Sequence, residues 1–438
     1  MAAPAYDVIV IGAGAAGLMA AAELVQAGRS VLLLEARDRI GGRIWTRTEP
    51  DLDAPLELGA EFIHGHAPIT RALLAKVGAA AVAITESHRS LREGEPAPRA
   101  DYFSKLLAAA HDEGILLNED MSFDAFLERL AGRLTTEERE AARRMAEGFD
   151  AADTARASAR AIVAEWSGDT LGDTPQARPA GGYQSLLAAL ALTARAARLR
   201  LQLQSTVQSV RWSKGTVEVA GQSCDGPFQA RAARAIITLP LGVLQQAPNA
   251  KGAVRFIPQL ADKDSALSGL ASGPVVKLLL RFTAPFWEHL HGGAYRDVSF
   301  FHASSAPIPT FWTAVPARAP LLVAWAGGPR AQRVASGASR AQLLRTALAS
   351  LQSLFGARVD VAGALEGHYY HDWQQDPLAR GAYSYVTVGG GAARAALARP
   401  LAGTLFFAGE AIDTEDEAGT VTGALQSGLR AAREVLAS

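Results

Sequence analysis

A single cysteine, Cys224, stands in 438 residues. One thiol cannot close an intramolecular disulfide, and it cannot furnish a cysteine-rich zinc site or an iron–sulfur cluster. No metal site is expected. No run approaches the roughly 18 apolar residues of a membrane span, and the longest apolar stretches, at 8–11, 31–34 and 321–326, are strand-sized. A charge excess of one sign is missing as well: 43 Lys plus Arg face 44 Asp plus Glu. That balance argues against nucleic acid held by bulk charge. The first residues carry no basic segment ahead of an apolar one, so no secretory signal is expected and the cytoplasm is the expected location. What is present is ordinary for a globular protein, with 49% hydrophobic and 20% charged residues. A chain of this length can bury a large core in two or three domains.

The first forty residues are the most legible. Residues 8–11 form a β-branched run read as a buried parallel strand, followed at once by Gly12-Ala13-Gly14-Ala15-Ala16-Gly17. An Ala/Leu-rich helix at 18–26 is closed by Gly28, a second buried strand covers 30–34, and Glu35 stands at its end. In this order, Gly12 lets the chain turn, Gly14 lets backbone approach a pyrophosphate, and Gly17 lets helix pack on strand. A carboxylate 18 residues after Gly17 suits the ribose hydroxyls of an adenosine and disfavours a 2′-phosphate. Asp38-Arg39-Ile40-Gly41-Gly42-Arg43 then delivers a guanidinium where a second phosphate contact is expected.

Further on, helices are expected at 73–77, 103–118, 122–164, 183–197, 340–355 and 424–436. Strands are expected at 201–203, 207–212, 216–219, 235–238, 275–282 and 404–408. The stretches 168–182 and 250–259 are the best boundary candidates by composition. Alternating helical and β blocks imply two domains interleaved in sequence.

Residues 12–17, Glu35, Gly41-Gly42-Arg43 and Glu57-Leu58-Gly59-Ala60-Glu61-Phe62-Ile63-His64-Gly65 resemble the opening of the flavin-containing amine oxidases. The resemblance recurs at Pro179-Ala180-Gly181-Gly182-Tyr183, Ile237-Thr238-Leu239-Pro240-Leu241-Gly242-Val243-Leu244, Lys277 with Pro285-Phe286-Trp287, Trp373 with Gly381-Ala382-Tyr383-Ser384, and Phe407-Ala408-Gly409-Glu410. It implies an α/β protein: a Rossmann-like FAD-binding domain (1–78, 178–256 and 362–438) interleaved with an α+β substrate-binding domain (79–177 and 257–361). It also implies an oxidase that takes a hydride from a polyamine or a primary or secondary monoamine and gives hydrogen peroxide from O2. An L-amino acid oxidase, a flavin desaturase and a non-catalytic relative of the same fold are the alternatives.

Carried over by position, the resemblance places Gly59, Ala60, Glu61 and Phe62 along the isoalloxazine, Val207 at the adenine and Glu410 near the ribityl–pyrophosphate. The turn Gly419-Thr420-Val421 would meet the O2 and N1 side of the ring, where a helix N-terminus favours the charge of reduced flavin. Ala16, Ala36, Arg37, Gly42, Trp373 and Gly409 complete the cofactor set with Gly12, Gly14, Gly17, Glu35 and Arg43. In such relatives a lysine at Lys277 holds a water at flavin N5. The residues alone leave Lys277 either there or facing solvent from an edge strand. Tyr383 corresponds to one wall of an aromatic cage for the amine, and Thr420 stands where a second ring is common. His64 and Glu61 correspond to substrate-tunnel positions, and a satisfied loop histidine explains His64 equally well. Asp150, Asp153 and Glu147 read either as attractors of a cationic substrate or as a solvated helix face. Ala382 stands where some monoamine oxidases bond their flavin through cysteine, so FAD is expected to be non-covalent. A small-molecule amine and O2 are the expected partners, with neither nucleic acid nor membrane, in a monomer or homodimer.

Overall fold

The computed structural model describes residues 6–85, 87–97, 102–112, 119–168, 174–193 and 198–438. Two sheets organise it. The first has eight strands. Tyr6–Ile11 lies between Val31–Leu34 and Gly226–Ile237, and all of these pairings are parallel. Leu199–Gln202 extends the parallel set beyond Val31–Leu34, and Leu405–Phe407 pairs with the end of Gly226–Ile237. The continuous Val/Ile/Leu character of residues 8–11 and 31–34 follows from this position: helices cover both faces, and those residues are buried. The helix Ala15–Gln26 packs on the last helix, Val421–Ala437. Gly428 makes that contact possible, since a Cβ there would lie 2.2 Å from the Ala16 carbonyl oxygen.

Gly226–Ile237 is a 12-residue strand with two roles. Its first half closes an antiparallel meander with Ser205–Ser213 and Thr216–Ser223, and its second half belongs to the parallel set. The expected strands at 216–219 and 235–238 are therefore fragments of longer ones.

The second sheet has seven strands, built around Val275–Phe282 between Leu321–Gly327 and Leu365–Tyr370. It continues through Thr310–Thr313, Phe300–His302, His88–Arg92 and Glu95–Pro96. Leu365–Tyr370 pairs here, whereas Leu405–Phe407 joins the first sheet and Ser384–Val386 pairs separately with Leu270–Ser272. The helix Arg340–Phe355, started by a Ser339–Gln342 capping box, packs Leu343, Leu351, Leu354 and Phe355 into this sheet's core.

The single helix expected over 122–164 is three: Phe123–Arg129, Thr136–Gly148 and Ala159–Trp166. Local chemistry breaks it twice. Thr135 and Glu138 form a capping box that restarts the chain, and Ser158 caps the third helix after Ala151 has taken φ +50°. The helix at 73–77 begins earlier, at Pro68 in the first turn. Those at 103–118 and 183–197 are seen as Phe103–Asp112 and Gln184–Thr193, with 113–118 and 194–197 outside the described residues. No helix of the described residues is long and apolar enough to cross a membrane.

Candidate active site

The carboxyl ends of Tyr6–Ile11 and Val31–Leu34 open one side of a cavity of about 680 Å³. Gly12 has φ +106°, and a Cβ on Gly17 would sit 1.9 Å from the Gly12 carbonyl oxygen, so turn and helix pack at backbone distance. A Cβ on Gly14 would meet only the Gly41 oxygen, at 3.9 Å; that side of the loop is open to the cavity. Glu35 accepts the Ala13 N–H at 2.8 Å on one oxygen and the Arg37 N–H at 2.9 Å on the other. Burial raises its carboxyl above the usual range against these two bonds. Arg37 pairs with Asp376 at 2.8 Å, and His371 bonds the same Asp376 oxygen at 2.7 Å. Burial works against that carboxylate, yet the bonds from His371 and the Leu378 N–H and the Arg37 charge hold it at about 2.

Deeper along the cavity, Gly41 and Gly42 at positive φ bring Arg43 round to Glu410, 2.9 Å away, and to the Ala382 carbonyl. The other Glu410 oxygen accepts from Ser384, N–H at 3.2 Å and Oγ at 2.8 Å. Arg43 and Glu410, expected at neighbouring parts of one ligand, are thus direct partners. Val207, Gly409 and Ala36 line the same space.

The far end is built by residues of the second sheet together with the segments around Gly59, Arg178 and Trp373. A Cβ on Gly59 would lie 1.8 Å from the Arg43 carbonyl oxygen and 3.4 Å from the Trp373 ring, and the Trp373 indole donates to the Leu58 carbonyl at 2.9 Å. Lys277 reaches in from Val275–Phe282, so the solvent-facing alternative falls. Its ammonium donates to the Gly59 carbonyl at 2.9 Å and to Glu61 at 2.8 Å. Glu61 also accepts from Arg178 at 3.1 Å and from the Trp312 indole at 3.0 Å. Burial alone would raise the Glu61 carboxyl, but Lys277, Arg178 and these bonds keep it below the usual range. Arg178 is fixed in turn by the Thr313 and Val315 carbonyls and lies 4.7 Å over the Phe62 ring.

His64 lines the cavity against Phe149, with ring centroids 5.4 Å apart. Among the described residues its buried Nδ1 has no hydrogen-bond partner, so the satisfied-histidine alternative falls. Burial lowers the imidazole to about 4. The Tyr383 hydroxyl donates to the Phe149 carbonyl at 2.6 Å. Thr420 is on the cavity wall, but its hydroxyl is occupied: it donates to the Glu417 carbonyl at 2.6 Å and accepts the Gly423 N–H at 3.0 Å as N-cap of the last helix. Val421, the first residue of that helix, is also on the wall.

Every candidate residue from the sequence therefore borders this cavity except Gly17, which lies behind its wall, and Asp153, which is not part of its lining. Sequence reasoning missed Arg178, Trp312 and Glu165. Arg178 sits in a stretch read only as a loop, and nothing local marks Trp312 as facing a carboxylate. A glutamate beside Trp166 in a mostly apolar helix was the one signal for Glu165.

The arrangement fits a dinucleotide that ends in a flat ring. It has a glycine cradle at a helix N-terminus, a carboxylate at the next strand end, and a long cavity walled by backbone and aromatic rings. The model of flavin-containing amine oxidoreductases matches residues 15–436, and the chain belongs to that family. Among curated proteins it is 29% identical over 98% of its length to lysine-specific histone demethylase 2 of Homo sapiens, covering 53% of that protein. Over 20% of its length it is 47% identical to the putrescine oxidase of Kocuria rosea, covering 17% of that protein. The chain spans about half the length of the demethylase. Its fold is that of a wild-type putrescine oxidase solved with putrescine (TM-score 0.80, 22% identity, 99% of both chains) and of cyclohexylamine oxidase from Brevibacterium oxydans IH-35A (TM-score 0.77, 20% identity, 99% of both chains). This is the two-domain amine oxidase architecture.

Proposed function

We propose that this protein is an FAD-dependent oxidase of small amines, polyamines or primary and secondary monoamines. The observation that carries the reading is the Lys277 ammonium, held between Glu61 and the Gly59 carbonyl at one end of a cavity whose other end presents Glu35. FAD, when bound, would supply the acceptor for a hydride from the carbon bearing the amine, with O2 as the final oxidant and an imine and hydrogen peroxide as products.

The chain's own groups then have separable tasks. Each Glu35 oxygen has spent one lone pair on a backbone N–H and keeps another for a ribose hydroxyl. Arg43 is anchored through one guanidinium nitrogen, which leaves the rest of its fork for phosphate. Two of the three Lys277 hydrogens are committed, so the third can hold a water and move a proton through it. His64, neutral at physiological pH, is too weak a base to strip an ammonium; it orients an amine through its open Nδ1. Tyr383 offers a ring face whose tilt the Phe149 carbonyl fixes. FAD is held by these reversible contacts, with no covalent bond.

Anaerobic mixing with monoamines, diamines, amino acids and an N-methyllysine peptide, following flavin absorbance at each, tests the reading. Rapid bleaching by small amines is expected. Bleaching by amino acids alone, or by the peptide alone, would overturn it.

A further inference from the structure

The carboxylates that border the cavity are not equivalent. Glu35 is bonded by backbone N–H groups, Glu61 by two cations and Glu410 by Arg43. Glu147 lies 3.9 Å from Arg330, and Glu137 is on an exposed helix face. Asp150 and Glu165 are set apart by standing next to each other: neither forms an ion pair among the described residues, and both border the cavity. Asp150 follows Phe149 at the end of Thr136–Gly148, where the positive φ of Ala151 turns the chain inward, and it is only 5% exposed. The Trp166 indole donates to its Oδ2 at 3.2 Å. Its Oδ1 is buried, with no hydrogen-bond donor other than the neighbouring acid among the described residues.

Glu165 precedes Trp166 and stands close enough for the two carboxyls to act on each other. Burial, and then the Glu165 charge, push Asp150 far above the usual carboxylate range, and burial raises Glu165 as well. A pair in this setting holds one proton between two acids. The other titratable groups that face it are Tyr383, bonded to the preceding Phe149 carbonyl, and Arg394, which is held by Ser384 and the Ala411 carbonyl.

We propose that Asp150 and Glu165 form the subsite for a second ammonium group, so that the substrates are diamines or polyamines. Docking of this ammonium displaces a proton held by the pair. The inference rests on the amine-oxidation reading above. The amine nitrogen to be oxidised belongs at the Lys277 end, and a second, charged nitrogen needs a carboxylate that no cation already satisfies. This pair supplies one, with an open lone pair on Asp150 Oδ1. The step balances without a co-reactant: the carboxylic O–H breaks, its proton leaves to solvent, and the ammonium keeps its three hydrogens against two carboxylates. Desolvation makes such a charge inside the cavity costly until a cation meets it, which is why the empty pair retains the proton.

The test uses holoenzyme reduced with dithionite, which cannot oxidise its ligand. Calorimetric titration under argon at neutral pH compares 1,4-diaminobutane with 1-aminobutane in two buffers of different ionisation enthalpy. Proton release is expected with the diamine and not with the monoamine, and is expected to vanish in Asp150→Asn and Glu165→Gln. In turnover, the ratio of kcat/KM for diamine over monoamine should fall at least about tenfold in each variant. Diamine binding to the wild type without proton release would overturn the proposal, even if neither variant folds. So would a ratio that both folded, yellow variants leave unchanged. If no amine reduces the flavin, the proposed function fails; if amines reduce it and the pair has no effect, only this inference fails.

Discussion

Glu61 and Lys277, 216 positions apart in the chain, meet in a 2.8 Å ion pair, and Arg178 grips the same carboxylate from the opposite side. Glu61 lies on the cavity wall and also aims the lysine. Two cations around one buried carboxylate leave Lys277 firmly positioned while Arg178 maintains the Glu61 rotamer if the lysine is removed.

Lys277→Met should therefore fold and stay yellow, while flavin reduction or reoxidation slows by at least about a hundredfold. Stopped-flow absorbance in both half-reactions measures it. Unchanged rates in the variant would end the proposed role of Lys277.

Thr420 carries a structural task that the sequence did not reveal. Thr420→Tyr should narrow the range of amines accepted, as a second ring fills space, and should also cost about 1 kcal/mol because the helix cap is lost. Thr420→Ser keeps the cap and should retain wild-type stability. Thermal melts and a substrate panel separate the two effects; a panel unchanged in the tyrosine variant would show that Thr420 does not bound the amine site.

Glu57 supplies a pH dependence. Its carboxylate accepts the Tyr183 N–H at 2.6 Å and the Thr46 hydroxyl, and burial pushes it up to about 7 despite those bonds. The folded state thus binds more protons here than the unfolded state between about 4.5 and 7, so this group's contribution to stability falls as pH rises through that window, by about 3 kcal/mol at most. Glu57→Gln should flatten that slope. Denaturant titrations at intervals from pH 5 to pH 8 test it, and parallel curves for the two proteins would refute the assignment.

Acid or heat precipitation should release flavin into the supernatant. At the position where a cysteinyl bond would form stands Ala382, whose carbonyl accepts from Arg43. The one thiol, Cys224, is exposed in the turn between Thr216–Ser223 and Gly226–Ile237. Colour retained in the denatured pellet would establish a covalent link.

The β-α-β unit was legible because its signals are local: a β-branched run, glycines at fixed spacing, an Ala/Leu helix and a carboxylate lie within thirty residues. The break between Thr136–Gly148 and Ala159–Trp166 was not, because helix propensity in an Ala/Arg/Glu-rich stretch outweighs a single left-handed alanine in any local reading. The ion pairs of Glu61 were illegible for another reason. Nothing near residue 61 records that Arg178 and Lys277 arrive from distant strands, and the burial that makes such pairing necessary exists only once two sheets are in place. The Gly59–Phe62 assignment came from resemblance, and the cavity wall shows where those residues lie, not what they bind.

The cavity takes its walls from Ile11 at one extreme of the chain to Ala424 at the other. During synthesis, the glycine loop and Glu35 leave the ribosome well before Glu410 and the cap at Thr420. A nascent chain can form the first β-α-β unit but cannot yet enclose a ring system. Enclosure of the FAD proposed above accordingly has to wait until the Thr420 cap has emerged.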